Sequence, residues 1–174
     1  MMIAALDISK SGTGICWGDG DSRPETRVQS FEGEGPVVLR DFQKWLSKLL
    51  RDQIKPDMIV IEAALLMMND HASAKAARLL LELAGVAKAT SSLRGVRDDR
   101  IIEVSVKTWR KTELGSGNLP GPEAKNRALE KCADLNWLVE DHNAAESAMI
   151  WAHAHKYIEG GNQRGLRVML SAVR

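Results

Sequence analysis

A small set of side chains stands where chemistry could be done: Asp7, Glu62, Asp141, Asn143 and Glu146. Asp7 closes the apolar run Ile3–Leu6, and Glu62 closes Met58-Ile59-Val60-Ile61. A carboxylate at the mouth of a buried strand must be hydrated, hydrogen-bonded or metal-bound, because burying it bare is too costly. In the segment DHNAAESAMIWAHAH, Asn143 and Glu146 share a helical face. Ala144, Ala145, Ala148, Met149 and Ala152 mark that helix as packed, and a packed Glu needs a partner. Oxygen ligands gathered in this way suit hard divalent cations. Plainer roles exist for each acid. Asp7 can open a Ser/Gly-rich turn, Asp141 can cap the helix, and Glu146 can complement its dipole.

The elements that would position these acids are legible in the apolar pattern. Ile3–Leu6 and Ile15–Trp17 flank a Ser/Gly turn and read as a β-hairpin, to which Thr26–Phe31 adds an edge strand. Val38, Phe42, Trp45 and Leu49 follow the helical period, predicting a helix over Pro36–Asp52 with Pro36 in its first turn. The β-branched run Met58–Ile61 reads as a strand buried on both faces. Strand, helix, strand implies a parallel crossover, which sets Met58–Ile61 beside Ile3–Leu6 and brings their terminal acids together. Adjacent strands lie ~4.8 Å apart, close enough for two such acids to share one cation. Further helices are expected over Ala72–Ser92, Pro122–Asn136 and Ala144–Ile158, with a strand at Ile101–Val104.

With 174 residues, a hydrophobic fraction of 44%, a charged fraction of 27% and a net charge of +1, the chain reads as one ordinary globular domain without bulk basicity. Residues 1–160 are expected to form that domain, and 161–174 a basic, flexible tail. Cys16 and Cys132 lack metal-ligand spacing and read as reduced core residues. No signal-peptide layout and no apolar run near ~18 residues is present, so a cytoplasmic protein is expected, without membrane contact.

Four segments in order resemble the RuvC-type Holliday junction resolvases, most closely their small phage and prophage versions. These are the first strand ending in Asp7 with its Gly-containing hairpin; MIVIE ending in Glu62; the stretch from Val104 to Cys132 with TWRK, GSG and Lys125; and DHNAAESAMIWAH. The resemblance implies a ribonuclease H-like α/β fold, with a mixed five-stranded sheet of antiparallel meander and parallel strands flanked by helices. It implies that Asp7, Glu62 and Glu146 match three of the family's four metal-binding acids. The fourth position is Asn143, a departure, and Asp141 or His142 could serve in its place. A neutral Asn oxygen would hold an ion more weakly than a carboxylate. The implied cofactors are two Mg²⁺ or Mn²⁺ ions per site, and the implied reaction is two-metal hydrolysis of a phosphodiester in branched DNA.

Lys107, Trp109, Arg110 and Lys111 form a basic–aromatic cluster, joined by Lys125 from the next helix. They could position phosphates, with Trp109 stacking on a base or packing inward. A solvated charged turn is the plain alternative. Leu65, in the apolar loop Ala63–Asn69, stands where the family places an aromatic wedge; it could instead be simple core. The family works as a two-fold dimer, for which helix 72–92 is the expected interface. Competing functions are an actin-like or sugar-kinase fragment, suggested by Asp7 to Gly14, a catalytically weak branched-DNA binding module, and a ribonuclease H acting on RNA–DNA hybrids.

Overall fold

Side chains alternate across a strand, so Ile3, Ala5 and Asp7 must share one sheet face and Ala4 and Leu6 the other. The computed structural model, which describes residues 1–64 and 71–159, is built on that alternation. Strands β1 (Ile3–Asp7), β2 (Thr13–Gly18), β3 (Glu25–Gln29), β4 (Met58–Glu62) and β5 (Ile101–Val104) form one mixed sheet in the order β3-β2-β1-β4-β5. The β1–β2 and β2–β3 pairs are antiparallel, and β1–β4 and β4–β5 are parallel. The expected mixed five-stranded α/β architecture is therefore present.

Two apolar layers sandwich the sheet. On one face Ala4, Leu6, Ile15, Ile59 and Ile61 meet α1 (Pro36–Leu49) and α2 (His71–Leu93) through Phe42, Leu46, Leu83 and Ala87. On the other, Ile3, Ala5, Cys16, Met58, Val60 and Val104 meet α3 (Val106–Leu114), α4 (Gly121–Asp134) and α5 (His142–Glu159). Asp7 continues the series Ile3, Ala5, and Glu62 continues Met58, Val60. Both acids therefore face the α3–α5 layer. The parallel register pairs Leu6 with Ile61, so one residue further Asp7 stands opposite Glu62.

The observed elements depart from the expected ones at identifiable points. Helix α1 runs on through a π-helical turn, Leu50–Ile54, and stops at Lys55 in the left-handed region (φ 46°). Residues 106–114, read above only as a charged cluster or turn, form α3. Ser105 caps it, its hydroxyl accepting from Thr108 N–H, and left-handed Gly115 ends it. Loop residue Leu65 and the tail from 161 to 174 lie outside the described residues. The two cysteines are free and buried, and burial raises both thiols, Cys132 to about 11.

Helix α5 lies across β1 and β2 at a distance that only glycine allows. A Cβ on Gly14 would sit 2.2 Å from the Asn143 carbonyl oxygen, and one on Gly12 2.5 Å from the Asn143 side-chain nitrogen. Gly14 pairs directly with Asp7 across the hairpin. The first turn of α5 thus drops onto the sheet beside the acid. Gly14→Ala is expected to cost about 1–3 kcal/mol through backbone displacement. Gly85→Ala, in open space on α2, is expected to gain about 0.5–1 kcal/mol. Urea unfolding of the two variants checks the contrast.

Candidate active site

The hairpin turn after Asp7 is closed by other residues. Ser9 N–H donates to Thr13 Oγ1 (3.2 Å), Gly12 N–H to Ser9 Oγ (3.0 Å), and Thr13 Oγ1 to the Ser9 carbonyl (2.5 Å). Asp7 is left to the inside of the fold, 9% exposed. Its carboxyl lies beside that of Glu62, and the charges of Glu62, Glu146 and Lys125 all act on it. Gly12 and Gly14 are covered by α5 rather than open to a ligand, which removes the phosphate cradle that an actin-like or kinase reading requires.

Glu146 reaches the cluster from α5, which begins at His142. It is buried with Ser147, Ala144 and Ala145 around it. Arg110 Nη2 donates to Glu146 Oε1 at 3.0 Å in a pair whose side chains are 15% and 7% exposed. A buried ion pair is near break-even in stability, but removing one partner strands the other's charge. Arg110 is not fully satisfied: its Nε is buried without a partner among the described residues. Its guanidinium carbon stands 5.3 Å from the centre of the Trp109 ring.

Asp141 is the N-cap of α5. One carboxylate oxygen accepts from Asn143 N–H (2.8 Å) and Ala144 N–H (2.9 Å), and the other from the Asn143 side chain (3.1 Å). Both oxygens are thereby engaged in holding the helix start. Asn143 is pinned between that cap and the hairpin glycines, and His142 is half-buried at the first helical position.

The basic–aromatic cluster divides into two. Lys107 and Lys111 are exposed on α3, and Lys125 is half-exposed on α4, close enough for its charge to act on Asp7 and Glu146. Trp109 and Arg110 instead point inward. Trp109 is fully buried and donates its indole N–H to Glu62 Oε1 at 2.9 Å, which takes its ring out of reach of a base. Arg110 is paired with Glu146. Sequence reasoning missed this because it did not read 106–114 as a helix. The signals were present: a capping Ser105, a stop at Gly115, and Val106, Trp109 and Glu113 at helical spacing.

Burial, then Glu62, then Glu146 push the Asp7 carboxyl well above the usual carboxylate range. Burial and Glu62 raise Glu146 as well, against the pull of Arg110 and Lys125. The donor set is carboxylate oxygen and carries excess negative charge, which fits a hard divalent cation. As the side chains stand, no three His, Cys, Asp or Glu among the described residues are grouped closely enough to hold an ion. Glu62 is turned to Trp109 and Glu146 to Arg110. Beside Glu62, a recess of about 180 Å³ is lined by Ile8, Ala63, Ala64, Leu80, Ala84 and Val106.

Solved structures share this arrangement of strands and helices. The chain matches the Thermus thermophilus RuvC structure with a TM-score of 0.68 at 14% identity, covering 92% of this chain and 97% of that one. It matches T. thermophilus RuvC in complex with Holliday junction substrate with a TM-score of 0.70 at 11% identity, covering 92% and 96%. The yeast mitochondrial Holliday junction resolvase matches with a TM-score of 0.53 at 13% identity, covering 87% and 76%. No protein-family model matches the chain, and no curated protein matches it by sequence. At these identities the likeness is one of fold: the chain has the RuvC-type, ribonuclease H-like fold.

The raised Asp7 fixes the sign of a stability effect. A carboxyl whose folded pKa exceeds its unfolded value favours the fold while protonated, and that contribution is lost as pH rises through the folded value. At neutral pH without divalent ions the cluster therefore opposes folding. Asp7→Asn is expected to raise the melting temperature in EDTA at pH 7, by about 2–4 °C for each kcal/mol of repulsion relieved. The gain should shrink toward pH 4, and a melt series at both pH values checks it.

Proposed function

We propose that this chain, built on the RuvC fold, is a divalent-metal-dependent endonuclease that cuts branched DNA, four-way junctions foremost. The observation that carries the reading is that Asp7 and Glu62 end neighbouring parallel strands and that Glu146, from α5 on the face they share, lies near enough for its charge to act with theirs. No packing role requires carboxylates whose like charges act on one another at a buried sheet end. The T. thermophilus RuvC complex, whose partner is a Holliday junction substrate, supports the choice of DNA.

In this reading Asp7 is the central ligand, because it is flanked by both other acids. Glu62 and Glu146 hold the outer sides, and Asn143 or Asp141 completes the set. Two bound Mg²⁺ or Mn²⁺ ions would supply an activated water and charge neutralisation at the scissile phosphate. Glu146 would exchange Arg110 for the ion, which frees the guanidinium for a phosphate oxygen. Lys125, Lys107 and Lys111 would hold the DNA backbone at the rim, as exposed cations do without reading sequence. Burial of Asp7 and Glu146 limits competition from bulk water there. Helix α2, with Leu81 exposed on it, is the proposed face for a two-fold dimer. Two symmetric cuts on a two-fold junction require two symmetric sites.

Use of Asp141 as a helix cap and the neutral Asn143 favour one second reading, a junction-binding protein of low catalytic power. Incubation of synthetic four-way junctions with Mg²⁺ or Mn²⁺ decides. The expected result is symmetric cleavage that Asp7→Asn abolishes while junction binding persists, with RNA–DNA hybrid left intact. Binding without cleavage in either ion selects the second reading. Lys111→Glu and Lys125→Glu should each weaken junction binding and lower the salt slope by about one; unchanged affinity would remove these lysines from the DNA path.

A further inference from the structure

We propose that Trp109 is a positioning residue for the acid cluster: its indole N–H fixes the Glu62 carboxylate in the orientation from which it serves as a ligand. The inference rests on the metal-dependent reading above and deepens it.

Trp109 is the foremost of the fully buried side chains. A buried indole N–H must find an acceptor or forfeit its hydration. The acceptor is Glu62 Oε1, 2.9 Å away and 47 residues earlier in the chain. Which partner follows the other is decided by how each is held. Trp109 sits in α3, which is capped by Ser105 and ended by Gly115, and its ring is packed in the core with Ile102, Val104, Ala145 and Met149 among the buried side chains. Glu62 is the last residue of β4, half-exposed, on a longer side chain with three rotatable bonds of its own. The indole is the rigid member, so the carboxylate takes its orientation from the indole.

The chemistry of the donor matters as much as its place. A carboxylate offers about four lone-pair positions. The indole takes one, which leaves room for a cation. Indole N–H is neutral, so it orients Glu62 without cancelling the charge that a divalent ion needs. An Arg or Lys there would compete with that ion, as Arg110 does at Glu146. Hydrogen bonds to ligating carboxylates commonly set affinity, and their loss costs about 10–100-fold.

The test uses the full chain, ¹⁵N-labelled, free of DNA so that no turnover enters. The Trp109 indole resonance is identified by its absence in Trp109→Phe. Titration with Mg²⁺, Mn²⁺ or Ca²⁺, followed by calorimetry, gives the affinity; Mg²⁺ or Ca²⁺ gives the spectrum. The expected result is an indole shift for Trp109 that tracks the binding isotherm and an affinity about 10–100-fold weaker in Trp109→Phe. If Trp109→Phe does not fold, Glu62→Gln serves. It keeps the acceptor, and the Trp109 resonance should persist and cease to respond to the ion at concentrations that saturate the parent. An ion that binds the parent while the Trp109 resonance stays still, or that binds Trp109→Phe within two-fold of the parent, overturns the inference alone. A parent that binds no divalent ion at millimolar concentration overturns the metal-dependent reading and this inference with it.

Discussion

Two carboxyls meet at the ends of neighbouring parallel strands, and much of the molecule is arranged around that meeting. Asp7 and Glu62 are brought together by strand parity and register, which the apolar alternation of β1 and β4 dictates. Like charges pressed into a buried face oppose folding unless protonated or compensated. The surrounding parts each lessen that cost or exploit it. Lys125 and Arg110 bring positive charge, Trp109 brings a neutral hydrogen bond, and Glu146 adds a third negative group from α5.

The hairpin shows how a local feature serves the site from the back. Its Ser and Thr side chains close the turn, which releases Asp7 from that duty. Its glycines admit the first turn of α5, so Glu146 arrives one turn further along at the level of the acids. Asp141 then fixes the start of α5 by capping it. That carboxylate accepts three hydrogen bonds at the cap, and the Asn143 side chain is bound to the same cap. The start of α5 is therefore built from helix-end chemistry, and the three other carboxylates lie on β1, β4 and the second turn of α5.

Much of this was legible in the sequence, for physical reasons. Period-two alternation and a β-branched run place Asp7 and Glu62, and a strand–helix–strand order makes their strands neighbours. Small residues flanking Glu146 mark it as buried. The helix over 106–114 was not legible in the same way, because its charged residues outnumber the apolar ones and its packed face rests on Val106, Trp109 and Leu114. Its Ser and Gly boundaries outweigh that weak periodicity. Without the helix, Trp109 stays open between stacking on a base and packing inward; the helical turn carries it and Arg110 inward to Glu62 and Glu146. Glycine spacing near Asp7 was equally ambiguous in one dimension. Gly12 and Gly14 can cradle a phosphate or admit a helix, and only the position of α5 decides between them.

The most direct test of the central claim is an anomalous difference map from crystals of the full chain soaked in Mn²⁺. The account predicts a peak bonded to the Asp7 carboxylate at about 2.2 Å, a distance on the scale of hard-cation oxygen ligation, with Glu62 beside it and Glu146 turned from Arg110 toward the ion. A map without density at Asp7 at saturating Mn²⁺, with Glu146 still paired to Arg110, would contradict it.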